Sequence, residues 1–399
     1  NGHAAADPNA DVGAHAHGCP EQRCPLRVGL AGTARNHLKA TPDSGFWQAV
    51  HHQFEHVEWA GGGFWDLIQP SFMFMVGVSM AYSYVNRQRE GQSWGRMLGH
   101  ASWRAVVLIA LGVFLSSNSA RSTNWSFMNV LSQIGLGYAF LFLLWGRSLR
   151  THVITAAALL LGTWALYVSS PGGGIDPASG ATKLGVSAAW AQQNLAGVGS
   201  AWHKNANVGQ AVDSWLLNQF PRREAFVFNS GGYQTINFIP SLVTMLFGLM
   251  VGELLRSNRT ARRKLLVLLA AGVGGIVAGL VWAWLGVPLV KRIWTPSWAL
   301  YSTGWCCLIL ATLYAMIDLR QWRAWSFPLV VVGMNSIAIY CMGQMLRPWT
   351  AKTLQTHLGE NLFKVLGADY VPFVQATLVG LMFWLVCWWM YRRKIFLRI

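Results

Sequence analysis

Charged residues are what this chain has least of. Only 12% of its 399 residues are Asp, Glu, Lys or Arg, where a soluble domain carries roughly 25%. That scarcity excludes two or three ordinary soluble domains, which the length alone would allow. Phosphate-cradling loops are missing as well. No GxxxxGK[ST] occurs, and no GxGxxG follows a strand, so ATP-binding and dinucleotide folds have no support. No internal repeat stands out. Four of the six cysteines (Cys306, Cys307, Cys341, Cys387) lie inside apolar segments, as small buried residues do. Cys19 and Cys24 stand beside His15 and His17, but their spacing matches no standard zinc module and no metal centre is expected. Residues 1–44 lack helical or strand periodicity and any run of signal-peptide length, and read as a poorly ordered segment.

What is present is apolar. Hydrophobic residues make up 53% of the chain, with 22 tryptophans. Crossing a hydrocarbon core of about 30 Å takes ~20 helical residues, and indole rings favour the headgroup layer. Apolar segments fall at about 66–85, 103–117, 128–145, 152–168, 237–255, 265–286, 299–317, 327–346 and 371–391. The expectation is an all-α polytopic transmembrane helix bundle of about nine spans, forming one domain over 45–399.

The net charge of +16 raises the question of nucleic acid. The basic residues form no stripe with interleaved aromatics outside the apolar runs, so no nucleic-acid partner is expected. They recur in short clusters instead. One alternating set of connections holds Arg87, Arg89 and Arg96, then Arg147 and Arg150, then Arg256, Arg259, Arg262, Arg263 and Lys264, then Arg320 and Arg323, and ends in Arg392, Arg393, Lys394 and Arg398. The short connections of the other set hold only Arg121, Lys291, Arg292, Arg347, Lys352 and Lys364. The positive-inside rule puts the first set in the cytoplasm, and His56 on the outer side. The long connection at about 169–236, rich in Gly, Trp and Asn, also falls outside, and a loop of that length is commonly functional or disordered.

Which residues carry chemistry? His56 precedes Asp66 by ten positions, with Gly61, Gly62 and Gly63 between them. A histidine can serve as general base or acyl acceptor, and a carboxylate can fix its tautomer. An aspartate at a helix start is equally what a cap looks like. Spacing alone leaves both readings open. Gln69, His100, Arg104, Gln133, Asn237, Glu253 and Asn335 lie in or at the edge of apolar segments, where polar groups usually face a cavity or a partner. His100 and Arg104 share a helix face. Snorkelling and helix-end pairing account for Arg104, Glu253 and Arg256 better than for the two asparagines.

At this point a resemblance enters. "HVEWAGGGFWDLIQPSFMFMVGVSMAYS" (56–83) is similar to the first block of the heparan-α-glucosaminide N-acetyltransferase family and its bacterial relatives. "TINFIPSLVTMLFGLMVGELL" (235–255), "VPLVKRIWTPSWALYSTGW" (287–305), "FPLVVVGMNSIAIY" (327–340) and the ending "YRRKIFLRI" agree in order. The resemblance covers roughly 45–399. It implies a membrane acyltransferase that takes acetyl from cytoplasmic acetyl-CoA and passes it to an amino or hydroxyl group of a glycan on the far side. It carries the active-site histidine onto His56 and the block's aspartate onto Asp66. Asn237, Asn335, Lys291 and Trp294 match further motif positions as pocket residues, and Arg104 joins them as an inner-side arginine for the cosubstrate. A bacterial inner (plasma) membrane is the implied location, and a homodimer is in keeping with it.

The departures are specific. Ala60 stands where the family has Asn after Trp, and Gln69 stands where it has Phe before Pro. The family's opening Ser-Leu-Asp-x-x-Arg-Gly-like motif and its helix are not found in 1–44. The expectation is therefore a chain lacking the family's first helix. The rival readings are a glycan or solute transporter without acyl chemistry and an inactive, truncated paralogue.

Overall fold

The computed structural model describes residues 25–397, apart from 119 and 171. The expected Cys19 and Cys24 group lies outside the described residues. The helices are α1 (Pro25–Ala40), α2 (Gly45–Phe54), α3 (Ile68–Arg89), α4 (Trp94–Ser116), α5 (Val130–Leu144), α6 (Leu149–Ser169), α7 (Ala188–Asn194), α8 (Val208–Leu217), α9 (Phe238–Arg256), α10 (Ala261–Trp284), α11 (Pro296–Tyr314), α12 (Phe327–Gly333), α13 (Ser336–Met345), α14 (Arg347–Leu358) and α15 (Val371–Arg392). Among the described residues there is no strand, only one isolated bridge between Ala181 and Val186. The chain is an all-α, polytopic membrane bundle.

Local chemistry sets the helix starts. Ser93, Asn129, Ser148, Thr260 and Thr295 each accept a hydrogen bond from a backbone N–H in the following first turn, which satisfies donors that a helix start leaves bare. Pro296 at the first turn of α11 needs no such donor.

All nine expected segments are helical, but fewer than nine qualify as straight spans. Helices α4, α6, α9, α10, α11 and α15 are long and apolar enough to cross. Helices α12 and α13 form a pair bent by 69°, which makes a seventh if counted as one span. Helix α3 has 22 residues but is less apolar, and α5 has only 15, about 22 Å at 1.5 Å per residue. The segment read as poorly ordered also differs. Pro25–Ala40 is helical, with Gly29 against Phe373 and Ala376 of α15, and Gly32 against Pro372.

Close backbone approach holds the bundle together. A Cβ on Gly77 of α3 would meet the Met245 carbonyl of α9, and one on Gly248 would meet the Phe74 carbonyl. Such small-residue contacts are how membrane helices gain packing when lipid removes the hydrophobic drive between them. Large apolar side chains such as Trp103, Phe114, Val277 and Trp284 face outward, as a lipid-facing exterior requires. The connection between α6 and α9 is a folded cap. Its Ile175, Val186, Leu195 and Trp202 form a second core with Trp59, Val290 and Ile293.

Candidate functional site

His56 lies on the loop after α2, and Asp66 lies in the single 3-10 turn (Phe64–Leu67) that leads into α3. The three glycines let this loop fold back on itself. Gly61 has φ of 118°, a region that glycine enters without steric cost. A Cβ on Gly62 would come 2.7 Å from the Trp298 ring, and one on Gly63 would come 2.9 Å from the His52 carbonyl. The loop is then sewn to the segment before α11. Gly61 N–H donates to the Leu289 carbonyl at 2.8 Å. Arg292 donates to the carbonyls of Gly231 at 2.8 Å and Val57 at 3.4 Å.

That fold-back brings His56 Nδ1 to 2.7 Å from Asp66 Oδ1. The other oxygen of Asp66 accepts from the backbone N–H of Gly63 at 3.1 Å and of Val57 at 3.3 Å. Asp66 therefore does both things that spacing left open, capping the turn and holding the imidazole. Lys291 Nζ stands 3.6 Å from Asp66 Oδ1 and 3.5 Å from His56 Nδ1. The three side chains are nearly enclosed, at 8%, 3% and 5% exposure for His56, Asp66 and Lys291. Burial would raise the Asp66 pKa. The His56 hydrogen bond, the Lys291 charge and the Gly63 N–H outweigh it and hold the carboxyl at about 2. Asp66 is thus a fixed anion. With Nδ1–H donating to that anion, the neutral ring carries its lone pair on Nε2.

His56 and Lys291 line one end of a cavity of about 630 Å³. Its other walls come from α1 (Gly29), α3 (Ile68, Gln69, Phe72), α5 (Val130), the broken pair α12–α13 (Leu329 to Gln344) and α15 (Phe373 to Phe383). The ten helical steps from Phe373 to Phe383 span about 15 Å, so the cavity is elongated along the bundle. Its surface is mostly apolar, and Gln69 Oε1 is a buried acceptor on that wall without a hydrogen bond among the described residues.

The remaining candidates occupy other places. Asn237 holds the site from behind by donating to the Arg292 carbonyl at 2.8 Å. Trp294 is fully buried in a left-handed turn at φ 46°, directly after Lys291–Ile293. Asn335 sits at the break between α12 and α13, where it donates to the Ile395 carbonyl and accepts from Leu397 N–H, each at 3.1 Å. Arg104 lies in α4, on the Tyr138 ring and donating to its hydroxyl at 3.2 Å. None of these four lines the cavity. The cavity adds Tyr340 and Gln344 from α13 and Thr377 from α15. Their polarity inside apolar runs was the one available sign of them.

Comparison with known proteins bears on this geometry. No family model matches the chain. It is 24% identical over 388 residues to the heparan-alpha-glucosaminide N-acetyltransferase of Homo sapiens, an alignment that covers 87% of this chain and 56% of that protein. It is 22% identical over 399 residues to the heparan-alpha-glucosaminide N-acetyltransferase of Mus musculus, with the same coverage. The chain spans about half the length of these curated relatives. Both relatives carry the family name that the sequence blocks resemble.

Proposed function

We propose that this chain is an integral-membrane acyltransferase, set in a bacterial plasma membrane, that moves acetyl from cytoplasmic acetyl-CoA to an amino or hydroxyl group of a glycan on the outer side. The observation that carries the reading is the enclosed His56–Asp66–Lys291 cluster at the end of an elongated cavity. A buried anion that orients a histidine is the arrangement general-base and acyl-carrier chemistry needs. The activity for which the two relatives are named supports the same class of reaction.

The cavity suits a slender acyl-bearing arm. Apolar walls favour its methylene groups, and Gln69 Oε1 offers an acceptor to an amide N–H. His56 Nε2 then has two routes. As base, it removes the proton of the acceptor amine or hydroxyl while that group attacks the thioester carbonyl, and it returns the proton to the departing thiolate. As carrier, it attacks the carbonyl itself and expels the thiolate to form acetyl-histidine; the acceptor amine or hydroxyl then takes the acetyl, which frees Nε2, and the acceptor's proton passes through Nε2 to the thiolate. In both routes positive charge builds on the imidazole, and Asp66 stabilises it. Lys291 raises the local potential where the carbonyl oxygen becomes negative.

The transporter reading expects paired broken helices from two repeats. Among the described residues a single bent pair occurs. The test is transfer of labelled acetyl from acetyl-CoA to amino sugars in proteoliposomes. Wild type should transfer and His56→Ala should fall by about 10²–10⁴-fold. A His56→Ala protein matching wild type would remove His56 from the chemistry.

A further inference from the structure

A second polar cluster lies far from His56, on the opposite reach of α3. Arg87 Nη2 donates to His100 Nε2 at 2.7 Å. That contact requires His100 to accept on Nε2, so the ring is neutral and its Nδ1–H faces the Tyr84 hydroxyl at 3.4 Å. One helical turn further along α4, Arg104 stacks on Tyr138 at 4.8 Å and donates to its hydroxyl. The Arg104 Nε is buried and has no hydrogen-bond acceptor among the described residues.

What the cluster lacks is an acid. Among the described residues no carboxylate forms an ion pair with Arg87 or Arg104. Glu90 meets Arg87 only by relay, since Gln92 donates to Glu90 and accepts from Arg87. The charges acting on His100 are those of the two arginines. Two guanidinium groups half-withdrawn from water beside a histidine are costly unless an anion completes them. Aromatic rings from Trp94, Phe142 and Trp145 close the floor around Tyr84.

We infer that Arg87, His100 and Arg104 form a binding site for a phosphate-bearing group at the inner end of the bundle. A guanidinium offers parallel N–H donors to phosphate oxygens, and the neutral His100 would exchange its Arg87 contact for one to the ligand. Two sources share this chemistry. One is the nucleotide end of the cosubstrate, which rests on the acetyl-CoA reading above. The other is an anionic phospholipid headgroup of the inner leaflet. The geometry permits the first, because Tyr340 and Cys341 of α13 pack against the core that also contains Met97 and Ala101 of α4. Tyr340 lines the His56 cavity as well.

The experiment uses the full chain in nanodiscs. Coenzyme A binding is measured by titration in phosphatidylcholine discs, and retained phosphatidylglycerol is counted by native mass spectrometry in mixed discs. Wild type is compared with Arg87→Gln/Arg104→Gln and with the charge-keeping Arg87→Lys/Arg104→Lys, which also guards against a folding defect. Coenzyme A affinity falling about tenfold or more in the Gln pair, with a smaller loss in the Lys pair, assigns the site to the nucleotide. Unchanged coenzyme A binding with loss of retained phosphatidylglycerol assigns it to the headgroup. Unchanged binding of both probes overturns the site and leaves the acetyltransferase reading intact if transfer persists. Wild type that holds phosphatidylglycerol through these arginines but binds no coenzyme A keeps the site and removes that reading.

Discussion

At the scale of single residues, Asp66 has the most to lose. It accepts from His56 and two backbone N–H groups and faces Lys291. Asp66→Asn keeps the shape and removes the charge. Acetyl transfer should fall about 10²–10⁴-fold, and stability should drop by about 3–5 kcal/mol, because the Lys291 ammonium loses its carboxylate in an enclosed site. Adding Lys291→Met should restore much of the melting temperature and none of the activity, which separates the two roles. The pH sign follows from a depressed carboxyl. The Asp66 contribution is present above its ordinary pKa of 3.8 and is lost as pH falls through about 2. The histidine–aspartate pair was legible because ten residues and three glycines allow a fold-back. Lys291 was legible only through a motif match, since 235 residues separate it from His56 and no local pattern links them.

Asp213 of α8 has the opposite sign. It is fully buried, and both of its oxygens accept from Thr235 N–H, at 3.1 and 3.2 Å. Burial raises its pKa to about 6, against the opposing effects of Thr235 and Arg222. The stability it lends is therefore complete below pH 3.8 and lost as pH rises through about 6. Protection factors at 208–236, which correct exchange for its intrinsic pH dependence, should fall across that interval in wild type. In Asp213→Asn the protection factors should stay flat, and a wild-type profile in that variant would refute the assignment.

Among elements, the α3–α9 contact positions the site. Gly77, Ala81, Gly248 and Gly252 let the two backbones approach, and α3 begins at the turn that holds Asp66. Gly248→Leu forces a side chain onto the Phe74 backbone. It should lower the melting temperature of the detergent-solubilised protein well beyond the effect of Gly274→Leu on α10, where a Cβ meets nothing within 4 Å. Equal shifts would deny the close approach its role. The glycine spacing of α9 is plain in sequence, but the helix it faces is not, because small-residue faces carry no address. The α12–α13 break was hidden for a similar reason. An apolar run from 327 to 346 reads as one span, and the pin at Asn335 comes from tail residues Ile395 and Leu397. The folded cap was legible as a long connection but not as a structure. Its order comes from remote contacts such as Trp59 Nε1 donating to the Trp202 carbonyl at 3.0 Å.

For the whole molecule, the proposed transfer depends on sidedness. Helix α9 has 19 residues, about 28 Å at 1.5 Å per residue, which matches a hydrocarbon core of about 30 Å. One end follows the folded cap that carries residues 169–236, and the other leads into Arg256, Arg259, Arg262, Arg263 and Lys264. The cap shares its core with Trp59, three residues beyond His56, so the side that holds the cap also holds the histidine. The positive-inside rule expects a basic cluster of that density on the cytoplasmic side. In a background with the native cysteines replaced, Ala178→Cys should react with a membrane-impermeant maleimide on intact cells. Asn258→Cys should react only after permeabilisation. Both positions are exposed, so silence reflects the membrane rather than burial. The reverse pattern would put His56 on the cytoplasmic side, and acetyl transfer across the bilayer would then have no acceptor within its reach.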